Sequence, residues 1–243
     1  MSARVSIRVS IAWSGHPAIE DTDTLVLTIG SYSLDLRVFN DNAGPDKGTI
    51  DWSTVARVGE IEGSTKENPK LRWDHIIDSR PPTSMPDQGV FDTLPNGDVT
   101  ETGIMHNPKT DRYEPYVETW RRLNLGSGAD IPYLVLERQK KKETNASAES
   151  GTNTGEHEHE EGVFIGRVGG YALGLAKVDG VYHAWRDSLS ENGWERVYEF
   201  SNYKECLREL LPTLPVSVPE GWTEGATVKL GESEWIVRAA GTV

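Results

Sequence analysis

The first strand-like segment sets the strongest limit on what this chain can become. Val5, Ile7, Val9, Ile11 and Trp13 alternate with Arg4, Ser6, Arg8, Ser10 and Ala12. A period of two puts one set on each face of an extended strand, as a strand with one buried side must read. Leu25, Leu27 and Ile29 repeat the pattern, Gly30 and Ser31 turn the chain, and Tyr32, Leu34, Leu36 and Val38 bring it back between Ser33, Asp35 and Arg37. That is a β-hairpin signature. Further runs at 54–61, 70–78, 88–94, 98–105, 113–123 and 131–137 are short and bounded by Gly, Pro, Asn and Asp, with Leu94-Pro95-Asn96-Gly97-Asp98 the strongest turn. Strands spaced at about ten residues predict an antiparallel barrel or sandwich.

The pattern breaks over residues 139–162, where Ser, Thr, Asn, Gly, Glu and Lys occur without one large apolar side chain. Such a stretch cannot offset its ordering entropy by burial, so it reads as a disordered linker or long loop between units at 1–138 and 163–243. Strand-like runs resume at 163–168, 171–178, 181–186, 194–200, 226–230 and 234–239. Only residues 201–211 look helical: Ser201 can cap the start, Tyr203, Cys206, Leu207 and Leu210 share a face, and Pro212 ends it. The expected class is all-β, two consecutive antiparallel β units with one short helix in the second.

Charge and cysteine content narrow the setting. With 38 acidic against 25 basic side chains the formal charge is −13, which repels a phosphate backbone; the one compact basic run is Lys140-Lys141-Lys142. Nucleic acid is not an expected partner. No apolar run reaches ~18 residues, and the first segment alternates where a signal peptide would be continuously apolar, so neither membrane insertion nor secretion is expected. Cys206 is the single cysteine, which excludes an internal disulfide and suits a reducing cytoplasm or nucleus. No phosphate loop, dinucleotide fingerprint, nucleophile elbow or Cys/His quartet occurs, so no cofactor and no metal are expected. His157-Glu158-His159-Glu160-Glu161 reads as a solvated acidic tract within the linker.

Polar residues on otherwise apolar faces are the candidate site. Between Leu71 and Arg80, strict alternation groups Leu71, Trp73, His75 and Ile77 on one face. His75 is then either a core histidine bonded to a backbone carbonyl or a cavity-lining acid or base. Glu101 falls in phase with Val99 and Met105, Arg121 with Val117, Thr119 and Leu123, and Arg167 with Val163 and Ile165. Each is a buried charge that needs a partner, either in a structural ion pair or in a pocket orienting an oxygen of a mostly apolar ligand. Eight tryptophans and eight tyrosines can line such a pocket; Trp73, Trp120, Tyr171, Trp185 and Tyr198 are the candidates for ligand contact.

Six strings in order carry a family resemblance: Thr22 to Leu27, Trp73 to Arg80, Leu94 to Asp98 with Glu101-Thr102-Gly103, Glu118 to Arg121, Gly166 to Tyr171, and Trp235 to Ala239. Together they resemble the fungal Hri family. The resemblance implies two successive lipocalin-like, calycin-type β-barrel domains in a cytosolic or nuclear fungal protein, and a family name drawn from association with a casein-kinase-type partner. It implies no catalytic mechanism. Three functions follow as expectations. The first is non-covalent binding of a small hydrophobic molecule in a barrel cavity. The second is cofactor-independent, pericyclase-like catalysis of a cyclisation, isomerisation or cycloaddition in fungal secondary metabolism, with His75, Glu101, Arg121 and Arg167 as the polar groups. The third is an adaptor binding a protein partner on its outer surface.

Overall fold

The computed structural model describes residues 3–125, 130–139, 161–200, 215 and 217–243. Strands β1 (Ala3–Trp13), β2 (Thr22–Ile29), β3 (Tyr32–Phe39), β4 (Ile50–Glu60), β5 (Lys70–Asp78), β6 (Asp87–Thr93), β7 (Val99–Asn107) and β8 (Arg112–Arg122) form a closed antiparallel barrel. Each strand pairs with the next, and β1 pairs with β8 to close the ring. A 3-10 segment, Asp41–Asp46, is the one helical element among the described residues.

Strands β9 (Pro132–Arg138), β10 (Gly162–Val168), β11 (Tyr171–Val178), β12 (Val181–Ser190), β13 (Gly193–Phe200), β14 (Thr227–Leu230) and β15 (Ser233–Thr242) make a seven-stranded sheet in the order β13-β12-β11-β10-β9-β15-β14. Two features differ from the sequence expectation. Among the described residues β13 and β14 are edges, so the second unit is an open sheet where a second closed barrel was expected. The run at 131–137, which the sequence places before the linker, is β9, and it lies between β10 and β15 in the second sheet. The expected helix at 201–211 and the linker from 140 to 160 fall outside the described residues.

The apolar sides of β2 and β3 face away from the barrel axis. Leu25, Leu27, Ile29, Leu34, Leu36 and Val38 pack with Val55 and Ile77 against Val135, Phe164, Val168, Leu173 and Leu175 of the second sheet. Full burial of a leucine-sized side chain contributes about 2 kcal/mol, so this seam is the main adhesive between the two layers. β10 comes close because Gly166 has no side chain: a Cβ there would stand 2.8 Å from Leu34 Cδ2. Polar clasps flank the seam, with Tyr182 donating to Ser53 Oγ at 2.9 Å, Arg186 to Asp23 Oδ1 at 2.8 Å and Tyr198 to Asp23 Oδ2 at 2.9 Å. The far face of the second sheet holds a separate core of Leu136, Ile165, Trp185, Trp235 and Val237, with Trp194 and Trp222 packed on it.

Candidate functional site

With their leucines turned outward, β2 and β3 present their polar alternates to the barrel interior. The inner face is built in cross-strand rows. Arg4 lies opposite Thr28 and Thr28 opposite Ser33; Ser6 opposite Val26 and Val26 opposite Asp35; Thr24 opposite Arg37 and Arg37 opposite Trp52. On the other side of the ring Val99 faces Trp120, Glu101 faces Glu118 and Gly103 faces Tyr116. These rows enclose a cavity of about 100 Å³, whose aromatic wall is Trp52, Trp73, Phe91, Tyr116 and Trp120. The Trp73 and Phe91 rings are 5.9 Å apart, centre to centre.

A buried ion network fills the barrel beside this cavity. Glu118 Oε1 accepts from Arg8 Nη1 at 2.7 Å and from Arg37 Nη1 at 2.8 Å; Arg37 Nε donates to Asp35 Oδ2 at 2.9 Å; Arg8 also reaches Glu20 at 3.0 Å and Thr22 Oγ1 at 2.9 Å. Burial alone would raise the Glu118 pKa, but Arg37 and Arg8 overcome it and hold the carboxyl below its usual range. For Asp35 burial wins over Arg37, and its pKa is raised. The Arg37 guanidinium lies 4.8 Å from the Trp52 ring centre and 5.6 Å from that of Trp120, so cation–π attraction holds it against the cavity wall.

On residues of this wall the acceptor Asp35 Oδ1 and the donor Trp120 Nε1 are buried without a hydrogen bond among the described residues, as are Nε1 of Trp185, Trp194 and Trp235 and Arg186 Nε in the second sheet. On the cavity wall, Tyr116 donates to Glu101 Oε1 at 2.7 Å. Paired glycines make room for that couple. A Cβ on Gly89 would stand 2.7 Å from Glu101 Cγ, and one on Gly103 would stand 2.9 Å from the Tyr116 ring. Burial, reinforced by the Glu118 charge, pushes the Glu101 pKa up to about 8. At neutral pH it is therefore mostly a neutral acid.

His75 sits at a boundary. Relative to β4, strand β5 carries an extra residue: Val55 pairs with Ile77 and Ala56 with His75, leaving Ile76 as a bulge. The bulge overturns the strict alternation expected from the sequence. Ile77 joins the outer seam, while Trp73 reaches the cavity and His75 an adjoining cleft. His75 Nδ1 is 2.8 Å from Asp78 Oδ2 and Nε2 is 3.0 Å from Asp87 Oδ2. Burial opposes the charged ring, but the two carboxylate hydrogen bonds prevail and raise its pKa to about 9. The cleft, about 590 Å³, is lined by Pro82, Met85, Pro86, Ile104 and Tyr113, and shares Trp52, Asp87 and Met105 with the cavity.

The structure thus gathers Trp73, Glu101 and Trp120 at the cavity and places His75 beside it. The other sequence candidates lie elsewhere. Arg121, expected inside, has a side chain 53% exposed and forms a two-pronged pair with Asp98 at 2.9 and 2.8 Å. Arg167 is buried in the second sheet, donating to the Gly169 and Pro215 carbonyls, with its guanidinium 5.1 Å from the Trp194 ring centre. Tyr171 packs half-buried against the seam, Trp185 is interred in the far core, and Tyr198 is one of the clasps. Sequence reasoning missed Arg4, Arg8, Asp35, Arg37 and Glu118. The first four were the polar members of its two clearest alternations, and alternation does not say which face turns inward.

Among the described residues no cluster of His, Cys, Asp and Glu is arranged to hold a metal ion, and no helix is long and apolar enough to cross a membrane. A family model described as Protein HRI1 matches residues 4–238. The chain belongs to the HRI1 family. The match spans the barrel except its first residue, Ala3, and runs into β15 as far as residue 238, so every cavity residue discussed above lies within it, Arg4 at its first position. No curated protein and no solved structure matches the chain.

Proposed function

We propose that this HRI1-family chain is a lipocalin-like receptacle that binds a small molecule inside its barrel. The up-and-down order of eight strands closing β1 on β8 supports that architecture. The observation that carries the reading is the aromatic-walled cavity inside the closed barrel, on whose lining residues Asp35 Oδ1 and Trp120 Nε1 have no hydrogen bond among the described residues. An unmet buried donor or acceptor costs about 1–3 kcal/mol, and a guest bringing one hydrogen-bond donor and one acceptor would satisfy both atoms. The five aromatic rings would stack on its body. The polar rows refine the expected hydrophobic guest to a ring-bearing molecule with polar ends. Native mass spectrometry of freshly purified protein, followed by calorimetry with a panel of aromatic and polyketide-like compounds, tests this. Retained small molecules, and affinities that fall about tenfold in Trp120→Phe, are expected. A cavity that holds only exchangeable water and takes up nothing from the panel would end the proposal.

A second reading, catalysis without a cofactor, is favoured by the protonated Glu101 held against Tyr116 on the same wall. A neutral carboxylic acid in an aromatic pocket can protonate or polarise an oxygen of a bound guest. Conversion of a bound compound by the wild type and not by Glu101→Gln is the expected result. Equal conversion by both proteins, or none by either, removes it.

A further inference from the structure

The arginines of the barrel differ in their partners. Arg8, Arg37, Arg80 and Arg121 each have a carboxylate partner. Arg4 and Arg122 line the cavity, and their side chains have no hydrogen bond or ion pair with any described residue. They are neighbours: Arg122 lies opposite Ser6 on β1, one inward position along from Arg4. Their like charges repel, and burial followed by the Arg122 charge pulls the Arg4 pKa below the usual guanidinium value. The hydroxyls of Thr28 and Ser33 stand in the same cross-strand row as Arg4. This end of the cavity is therefore a concentration of donors and positive charge without a counterion, although the whole protein carries a charge of −13. Every carboxyl residue lining the cavity has another partner: Asp35 and Glu118 in the arginine network, Asp87 with His75 and Glu101 with Tyr116.

Resting on the receptacle reading, we propose that the guest is an organic acid: its carboxylate lies between Arg4 and Arg122 with the Thr28 and Ser33 hydroxyls alongside, and its ring extends along Trp120, Trp73 and Phe91. A planar guanidinium matches a carboxylate with two parallel hydrogen bonds, and such charge-assisted bonds are about twice as strong as neutral ones. A ring N–H or O–H on the guest would then meet Asp35 Oδ1, one row further along the barrel. The guest's charge distinguishes this site from an ordinary greasy pocket, because a neutral molecule would leave the Arg4 guanidinium, whose charge burial already disfavours, without a counterion.

Calorimetry on the full chain with indole-3-acetate and indole-3-acetamide separates the two layers of the argument, since the probes share a ring and an N–H and differ in charge. The acid is expected to bind about tenfold more tightly than the amide. Arg4→Gln and Arg122→Gln should each erase most of that preference by weakening the acid far more than the amide, and inorganic phosphate at equal concentration should not displace the acid. Amide binding with no advantage for the acid overturns this inference and leaves the receptacle standing. Variants that weaken both probes equally, or phosphate binding as tightly as the acid, overturn it too. Failure of both probes alongside an empty native mass spectrum brings down the receptacle and the inference together. Arg122 is exposed, so its variant keeps the test open if Arg4→Gln does not fold.

Discussion

The inner and outer faces of the barrel wall solve opposite problems with the same strands. Outward, Leu25, Leu27, Leu34 and Leu36 lock β2 and β3 to the second sheet in a dry seam. Inward, Thr24, Thr28, Ser33, Asp35 and Arg37 line a polar interior of which an ion network fills one part and a cavity the other. A face that only holds the fold together needs shape and apolar area. The inner face also carries chemistry left unpaired among the described residues, at Asp35 Oδ1, Trp120 Nε1 and the side chains of Arg4 and Arg122.

The largest expected effect breaks the inner face at its network. Glu118→Ala would leave Arg8 and Arg37 buried without their shared partner and should destabilise the fold by about 3–5 kcal/mol in urea titration. A loss below about 1 kcal/mol would mean that water already reaches the network. Leu34→Ala on the outer face should cost about 3 kcal/mol while leaving guest affinity unchanged, whereas an inner-face change such as Trp120→Phe should do the reverse. A pH series probes the boundary residue. The His75 pKa is raised to about 9 in the fold, so its stabilisation of roughly 3 kcal/mol is fully present below pH 6.5 and lost as pH rises to 9. His75→Gln should flatten that part of the stability profile. Glu101 runs in the same direction as His75 and against the usual carboxyl: its raised pKa destabilises the fold as pH climbs from 4.5 towards 8, so Glu101→Gln should gain on the wild type across that window. Arg121→Ala, which removes an exposed pair on the outside of the barrel, should leave the urea midpoint and guest affinity essentially unchanged.

Much of the fold was legible because strands declare themselves locally. The run at 70–78 is β5 and that at 171–178 is β11 to the residue, and the other runs agree within a few positions at each end. Glu101 was legible as well, since its phase with Val99 and Met105 carries it to the cavity wall. Arg121 was misread because its neighbour Val117 looks like core and is 41% exposed. His75 parted from Ile77 through a bulge that leaves no mark in an apolar count. The network was least accessible: Arg8 meets Glu118 across 110 residues, a pairing fixed by ring closure and by nothing local.

Strand β3 serves two interiors, with Leu34 and Leu36 in the dry seam and Ser33, Asp35 and Arg37 in the wet one. A shift of this strand by a single residue against its neighbours would exchange those contents, thrusting an aspartate and an arginine among leucines and stripping the barrel interior of charge. Two compartments with contrary demands therefore act as a lock on alignment that neither would provide alone.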